Sequence, residues 1–155
     1  MLLECTVAHE AAHQWFYGLV GSDPQEEPWL DEAPAQYAAW MYYRERYGQS
    51  AAEGYFSSFD ARWDRVGREA IPIGRPVRAY SPVEYGAIVY GRAPLFLRAL
   101  SERMGEAAFD RLLEGYVRRW TWRVASAGDF LALAEETCGC PLAELAGRWG
   151  AVSRP

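Results

Sequence analysis

The chain contains no lysine and no asparagine, and all sixteen of its basic residues are arginine. Acidic residues outnumber basic ones, and the formal net charge is -5. This balance argues against nucleic acid or an anionic membrane surface as a partner. No apolar run approaches the roughly 18 residues that a membrane span requires. The first sixteen residues are apolar but lack the basic region and small-residue cleavage site of a signal peptide.

Cysteine is also scarce, with Cys5, Cys138 and Cys140 as the three examples. An odd number of cysteines without separated pairs does not form a disulfide framework, so we expect structural thiols and a cytoplasmic protein. Cys138 and Cys140 have no second cysteine pair with which to complete a metal knuckle. Half of the residues are hydrophobic, which predicts a packed core rather than a disordered chain.

At 155 residues the chain is one domain or part of a larger one, and we predict a single domain over residues 1–155. Hydrophobic periodicity and the positions of glycine and proline predict a mainly α fold without strand hairpins. Residues 70–82 contain three prolines and should form an extended connection. The predicted helices cover 2–18, 30–47, 51–68, 84–104 with a break near Pro94, 106–120, 126–137 and 141–149.

The second predicted helix contains a proline close to its start. If Asp31 is the N-cap, Glu32 is the first helical residue and Pro34 the third. The missing N–H of Pro34 would then be one that the helix leaves unpaired in any case. The sequence therefore places Glu32 at the very start of this helix.

Both histidines of the chain lie in the stretch HEAAHQW, residues 9 to 15. Residues four apart on a helix share one face, so His9 and His13 can ligate one metal ion together. Glu10 lies about 100° further round the helix, beside the metal, where a carboxylate can take a proton from water. The alternative is two hydrogen-bonded histidines on an ordinary packed helix. A third histidine six residues after His13 would give the metzincin pattern, but that position is Leu19.

A catalytic zinc ion normally takes three protein ligands, so the third must here be acidic or sulfur. Asp23, Glu26 and Glu27 fall in a proline-flanked loop, where nothing fixes the direction of their side chains. Asp31, in contrast, fits a helix cap. Glu32 is predicted on the first turn of a separate helix, which is rigid and able to face the first helix across the loop. The acidic candidates after His13 are Asp23, Glu26, Glu27, Asp31 and Glu32.

The stretch HEAAHQW, with eighteen residues between His13 and Glu32, and the segment WLDEAPAQY that contains Glu32 together resemble the gluzincin aminopeptidases, the aminopeptidase N family. Their pattern ends in a Trp-Leu-Asn-Glu-Gly-like segment. This chain has Asp31 for Asn, Ala33 for Gly and Pro34 for an aromatic residue, and it keeps the glutamate ligand. The resemblance implies the helical part of a thermolysin-like metallopeptidase catalytic domain. It also implies one zinc ion per chain on His9, His13 and Glu32.

The stretch YGRAPLFLRALSERMGEAAF, residues 90 to 109, is similar to the segment that carries the catalytic tyrosine of this family. The resemblance implies that Tyr90 donates a hydrogen bond to the oxyanion that forms on the attacked carbonyl. Arg92 replaces the family's lysine, and Ala93 and Pro94 replace Gly-Ala. Tyr85 is a nearby alternative for the same role.

The resemblance implies zinc-dependent hydrolysis of peptide substrates, with Glu10 as general base and an aminopeptidase-type preference. The family's β-rich upstream half, with the segment that holds the substrate's amino terminus, has no counterpart in these 155 residues. We therefore expect a partial catalytic domain whose own activity is open, and an apolar first helix that could self-associate or receive the missing half. An endopeptidase of the same class and a non-catalytic helical module are the alternatives.

Overall fold

The computed structural model describes residues 2–152 and confirms a mainly α chain. Two strands of two residues each form a parallel pair that joins Val20 to Arg123. Within the described residues, no helix has both the length and the apolar character needed to cross a membrane. The helices are α1 (Leu2–Ala12), α2 (Trp29–Tyr47), α3 (Gln49–Trp63), α4 (Pro82–Ala87), α5 (Ala93–Met104), α6 (Glu106–Trp120), α7 (Ala127–Cys138) and α8 (Ala143–Trp149), and the strands are β1 (Val20–Gly21) and β2 (Arg123–Val124).

The first helix ends at Ala12, six residues before the predicted end at Gly18. Beyond it the chain makes a wide turn in which the Gly18 and Leu19 N–H groups donate to carbonyls five residues back. Gly18 is required there, because a Cβ atom would lie 2.8 Å from the Gln14 carbonyl oxygen. The prediction was wrong because the apolar residues after Ala12 continue the helical pattern but lead into β1 instead.

The second helix agrees with the prediction within one residue and stops at Gly48, whose φ is 83°. The predicted cap at Asp31 was wrong: the helix begins after Pro28, and Asp31 lies buried within its first turn. The Asp31 carboxylate accepts a hydrogen bond from the N–H of Glu32, its immediate neighbour, at 2.8 Å. Pro34 consequently lies inside the helix, where its ring removes one main-chain hydrogen bond.

The segment after α3 differs in detail from the predicted helices. α3 ends at Trp63 rather than near residue 68, and a 3-10 turn at Asp64–Val66 follows it. The proline-containing connection holds a second 3-10 turn at Val77–Ala79. The predicted break near Pro94 takes the form of a π-helix at Ile88–Arg92, between α4 and α5.

Helix α2 is the centre of the fold, with α1, α3 and α5 packed against it. Trp29, at its first position, is fully buried and stacks edge-on against Phe96 and Phe130. Its indole N–H donates to the carbonyl of Ala151 at 3.1 Å. One aromatic side chain therefore ties the start of α2 to α5, α7 and the end of the described chain.

The cysteines correct the expectation of three free thiols. Cys138 and Cys140 form a disulfide across the end of α7, with their Cα atoms 5.2 Å apart. This separation lies within the range that a disulfide spans, although sequence proximity alone does not show whether two cysteines are oriented to bond. Cys5 is free and buried on α1.

Arg92, the last residue of the π-helix, is a buried cation that holds the carboxyl end of α8. Its guanidinium donates to the carbonyls of Ile71 and Trp149 at 2.7 and 2.8 Å, and to that of Arg148 at 3.2 Å. It also lies over the Trp149 ring, 4.8 Å from the centroid. A cation is favourable at the carboxyl end of a helix because the last carbonyls have no partner within the helix. Arg92 thus fixes the segment that carries Tyr90 to the C-terminal helices.

We expect Arg92→Ala to lower the free energy of unfolding by about 3 kcal/mol or more, because it leaves buried carbonyls without donors. Urea denaturation followed by circular dichroism measures this loss. Arg111→Ala, which removes an exposed arginine from α6, is the matched control and should stay within about 0.5 kcal/mol of the parent. Equal stability of the two variants would contradict the anchoring role of Arg92.

Candidate metal centre

Three potential metal ligands come from two packed helices. His9 lies in the last turn of α1 and is buried, and His13 follows directly after that helix ends. Glu32 lies near the start of α2, which packs along α1. The structure therefore brings together the two histidines and the one acidic residue that the sequence favours as their partner.

The distances between the ligand atoms fit a small tetrahedral metal ion. His9 Nε2 lies 3.2 Å from Glu32 Oε2 and 3.2 Å from His13 Nε2, and His13 Nε2 lies 3.5 Å from Glu32 Oε2. Ligands about 2.0–2.1 Å from a tetrahedral zinc ion lie about 3.3–3.4 Å from one another. Nitrogen and carboxylate oxygen are also ligand types that zinc accepts.

The contacts around these side chains direct the same three atoms toward one another. His13 Nδ1 lies 3.1 Å from the Phe16 carbonyl oxygen, which fixes the proton on Nδ1 and leaves the Nε2 lone pair available. Glu32 Oε2 is buried and has no hydrogen-bond partner among the described residues. His9 Nδ1 is likewise buried without one. A metal ion held between these atoms would give the buried Glu32 oxygen a cationic partner.

Two adjacent carboxyl groups at the start of α2 have opposite pKa shifts. Burial, and then the charge of Glu32, raises the pKa of Asp31 to about 6. Burial also acts to raise the pKa of Glu32, but His9 and Tyr90, which both favour its ionised form, together bring that pKa below its usual value. The surroundings of Glu32 therefore favour its ionised form, which is the form that binds a metal ion, whereas those of Asp31 do not.

A cleft of about 400 Å³ opens over the candidate ligands, between α1 on one side and α3 on the other. Glu10 is exposed and lines this cleft beside His9, as its position on α1 predicts. Tyr90 lines it as well. The cleft therefore gives a substrate access to both the candidate ligands and the candidate base.

Tyr90 reaches the ligand centre from the π-helix, a type of helix that occurs frequently at functional sites. Its hydroxyl donates to Glu32 Oε1 at 2.6 Å. Burial, together with this bond to the Glu32 carboxylate, raises the pKa of Tyr90 well above its usual value, so the hydroxyl keeps its proton. The Tyr85 ring lies 5.8 Å from the Tyr90 ring. Between these two tyrosines, the geometry favours Tyr90 as the donor.

Sequence patterns do not indicate the residues that hold Tyr90 in place. Arg62 of α3 donates to the Tyr90 carbonyl oxygen at 3.0 Å. Gly91 makes this approach possible, because a Cβ atom there would lie 2.9 Å from the Phe59 carbonyl oxygen and from the Arg62 Cβ atom. Gly91 was present in the tyrosine motif, but only the packing of the π-helix against α3 shows why glycine is needed.

Several solved structures have the same fold as this chain. A zinc metallopeptidase of family M1 from Deinococcus radiodurans, with a Tyr-Ser-Ala substrate bound, superposes with a TM-score of 0.78 at 26% sequence identity. The match covers 98% of this chain and 34% of that one. A two-domain M1 zinc metallopeptidase bound to L-tryptophan matches with a TM-score of 0.75 at 30% identity, over 98% of this chain and 33% of the other.

Curated relatives are also aminopeptidases by name. Probable aminopeptidase 1 of Sulfurisphaera tokodaii is 26% identical over 99% of this chain, which spans 20% of that relative. Aminopeptidase N of Streptomyces lividans is 28% identical over 93% of this chain and 18% of its own length. The chain thus spans about a fifth of the length of these relatives. The sequence model of the peptidase family M1 domain matches residues 2–149, from the first helix through the last, and the chain therefore belongs to peptidase family M1.

Proposed function

We propose that this chain carries the zinc-binding part of an M1 aminopeptidase and that its cleft is the place of peptide-bond hydrolysis. The observation that carries the proposal is the convergence of His9 Nε2, His13 Nε2 and Glu32 Oε2, with separations of 3.2 to 3.5 Å, at a cleft that Glu10 also lines. The family match supports the aminopeptidase class.

The residues of the chain divide the chemistry between them. His9, His13 and Glu32 would hold a zinc ion, which would supply a Lewis acid for the substrate carbonyl and for the attacking water. Glu10 takes the proton of the attacking water and delivers it to the leaving amine. Tyr90 donates a hydrogen bond to the oxygen on which negative charge develops.

The packing of the site supports this division of roles. The Phe16 carbonyl orients His13 by accepting from Nδ1. Tyr90 is oriented by Arg62, which donates to its main-chain carbonyl. Groups held in this way need little reorganisation during the reaction. Such preorganisation is the main source of electrostatic catalysis.

Zinc content tests the metal site directly. We expect about one zinc ion per molecule after mild dialysis, as one set of three ligands implies, and none in His13→Ala. Elemental analysis measures the stoichiometry. Gln14→Ala alters the exposed neighbour of His13 and should keep the zinc. Stoichiometric zinc in His13→Ala would overturn the ligand assignment.

A further inference from the structure

Arg62 is an arginine of the cleft lining that has no carboxylate partner among the described residues. No acidic side chain among residues 2–152 lies within ion-pair distance of its guanidinium, which donates to the Tyr90 carbonyl and lies 5.6 Å from the Phe59 ring centroid. Arginines that do pair with carboxylates are Arg44, Arg68, Arg78, Arg98 and Arg119. A half-buried guanidinium without a counter-ion favours the binding of an anion.

The guanidinium belongs to the wall of the catalytic cleft. Gly54, Ser58 and Arg62 are spaced four apart on α3 and all line the cleft, because residues at this spacing share one helix face. Arg62 is the single Lys or Arg in that lining. It is half-buried, and burial lowers its pKa below the usual value without removing its charge.

A hydroxyl group without a partner lies on the same helix, one turn before Arg62. The Ser58 hydroxyl is buried and has no hydrogen-bond partner among the described residues. Buried polar groups in proteins normally have partners, and this hydroxyl without one lies one helical turn from a guanidinium that has a carbonyl partner but no counter-ion. Both are donors, and a carboxylate is an acceptor with two oxygens.

Charge complementarity decides which end of a substrate lies against this wall. The substrate of an aminopeptidase has a positively charged α-amino group before the scissile bond. The Arg62 guanidinium repels this positively charged amino group. The cleft wall that contains Arg62 therefore favours the leaving-group side of the peptide, after the scissile bond. Tyr90 joins the two positions, since its hydroxyl is at the ligand Glu32 and its carbonyl is at Arg62.

Building on the proposed function, we propose that Arg62, assisted by the Ser58 hydroxyl, is a specificity-determining residue that binds a carboxylate on the leaving-group side of the peptide. Two sources supply this chemistry: the free carboxyl terminus of a short peptide, or an acidic side chain directly after the scissile bond. The substrate class that fits is therefore short peptides whose leaving part is anionic.

Binding to a Glu10→Gln host, in which cleavage is blocked, tests the proposal by titration calorimetry at measured zinc occupancy. Alanyl-alanine and its C-terminal amide compare the two states of the carboxyl terminus. Alanyl-aspartic acid amide and alanyl-asparagine amide compare the two side chains. In at least one pair we expect the carboxylate form to bind about tenfold more tightly, which is the size of one charge-assisted hydrogen bond.

Substitution of Arg62 should remove the affinity ratio between the carboxylate form and the neutral form of each pair. Arg62→Gln is expected to bring it to about one, and Arg62→Lys to keep part of it because the charge remains. Arg65→Gln, an exposed arginine in the following turn, is the matched control and should keep the full ratio. A purely structural role, through the bond to Tyr90, would weaken both members of a pair equally.

The outcomes separate this inference from the proposed function. A zinc-loaded host with equal affinity for both members of each pair overturns the inference alone, as does an unchanged ratio in Arg62→Gln. An Arg62-dependent ratio in a protein that holds no zinc and hydrolyses nothing supports the carboxylate site while overturning the proposed function.

Discussion

Glu10→Gln is expected to lower kcat for an alanyl or leucyl arylamide by about 10² to 10⁴, the range typical of general acid–base groups. The glutamine keeps the size of the side chain but cannot accept and return a proton. Glu10 lies beside the candidate ligand His9 and is exposed to the cleft, but it is not one of the three converging candidate ligands. Zinc content should therefore stay unchanged, which elemental analysis of the same preparation checks.

A control carboxylate shows whether such a loss is specific to Glu10. Glu45→Gln changes an exposed acidic residue near the end of α2 and should leave kcat within a few-fold of the parent. Activity of Glu10→Gln at the level of the control would exclude Glu10 as the base. Loss of zinc from Glu10→Gln would instead show that the carboxylate supports the metal.

Tyr90→Phe is expected to lower kcat by about 10² to 10³ while changing KM far less. The structure shows the hydroxyl donating to Glu32 Oε1 at 2.6 Å, so it is held at the ligand centre. When charge develops on the substrate oxygen, the hydroxyl can donate to that oxygen in place of Glu32, and an interaction made mainly in the transition state affects kcat. Steady-state kinetics at matched zinc occupancy measures the two constants.

Tyr85→Phe is the matched control for this variant, since the Tyr85 ring lies against Tyr90 at a centroid distance of 5.8 Å. We expect its kcat to remain within a few-fold of the parent. If Tyr85→Phe shows the large loss and Tyr90→Phe does not, the roles of the two tyrosines are exchanged.

The sequence by itself determined the class of the fold and the composition of the candidate site. Hydrophobic periodicity places α2 within one residue because Gly48 supplies an unambiguous stop. The two histidines point to a metal because residues four apart share a helix face whatever surrounds the helix. These conclusions depend on local geometry alone, and local geometry is a property of the sequence.

The tertiary structure decided where local patterns end and which distant groups meet. The apolar pattern after Ala12 does not distinguish a longer helix from a turn into β1, and pairing with Arg123 settles the matter. The contact between Arg62 and the Tyr90 carbonyl joins residues 28 positions apart. Because such contacts depend on how helices pack, no periodicity or spacing shows them, and the carboxylate site at Arg62 became visible only in the folded chain.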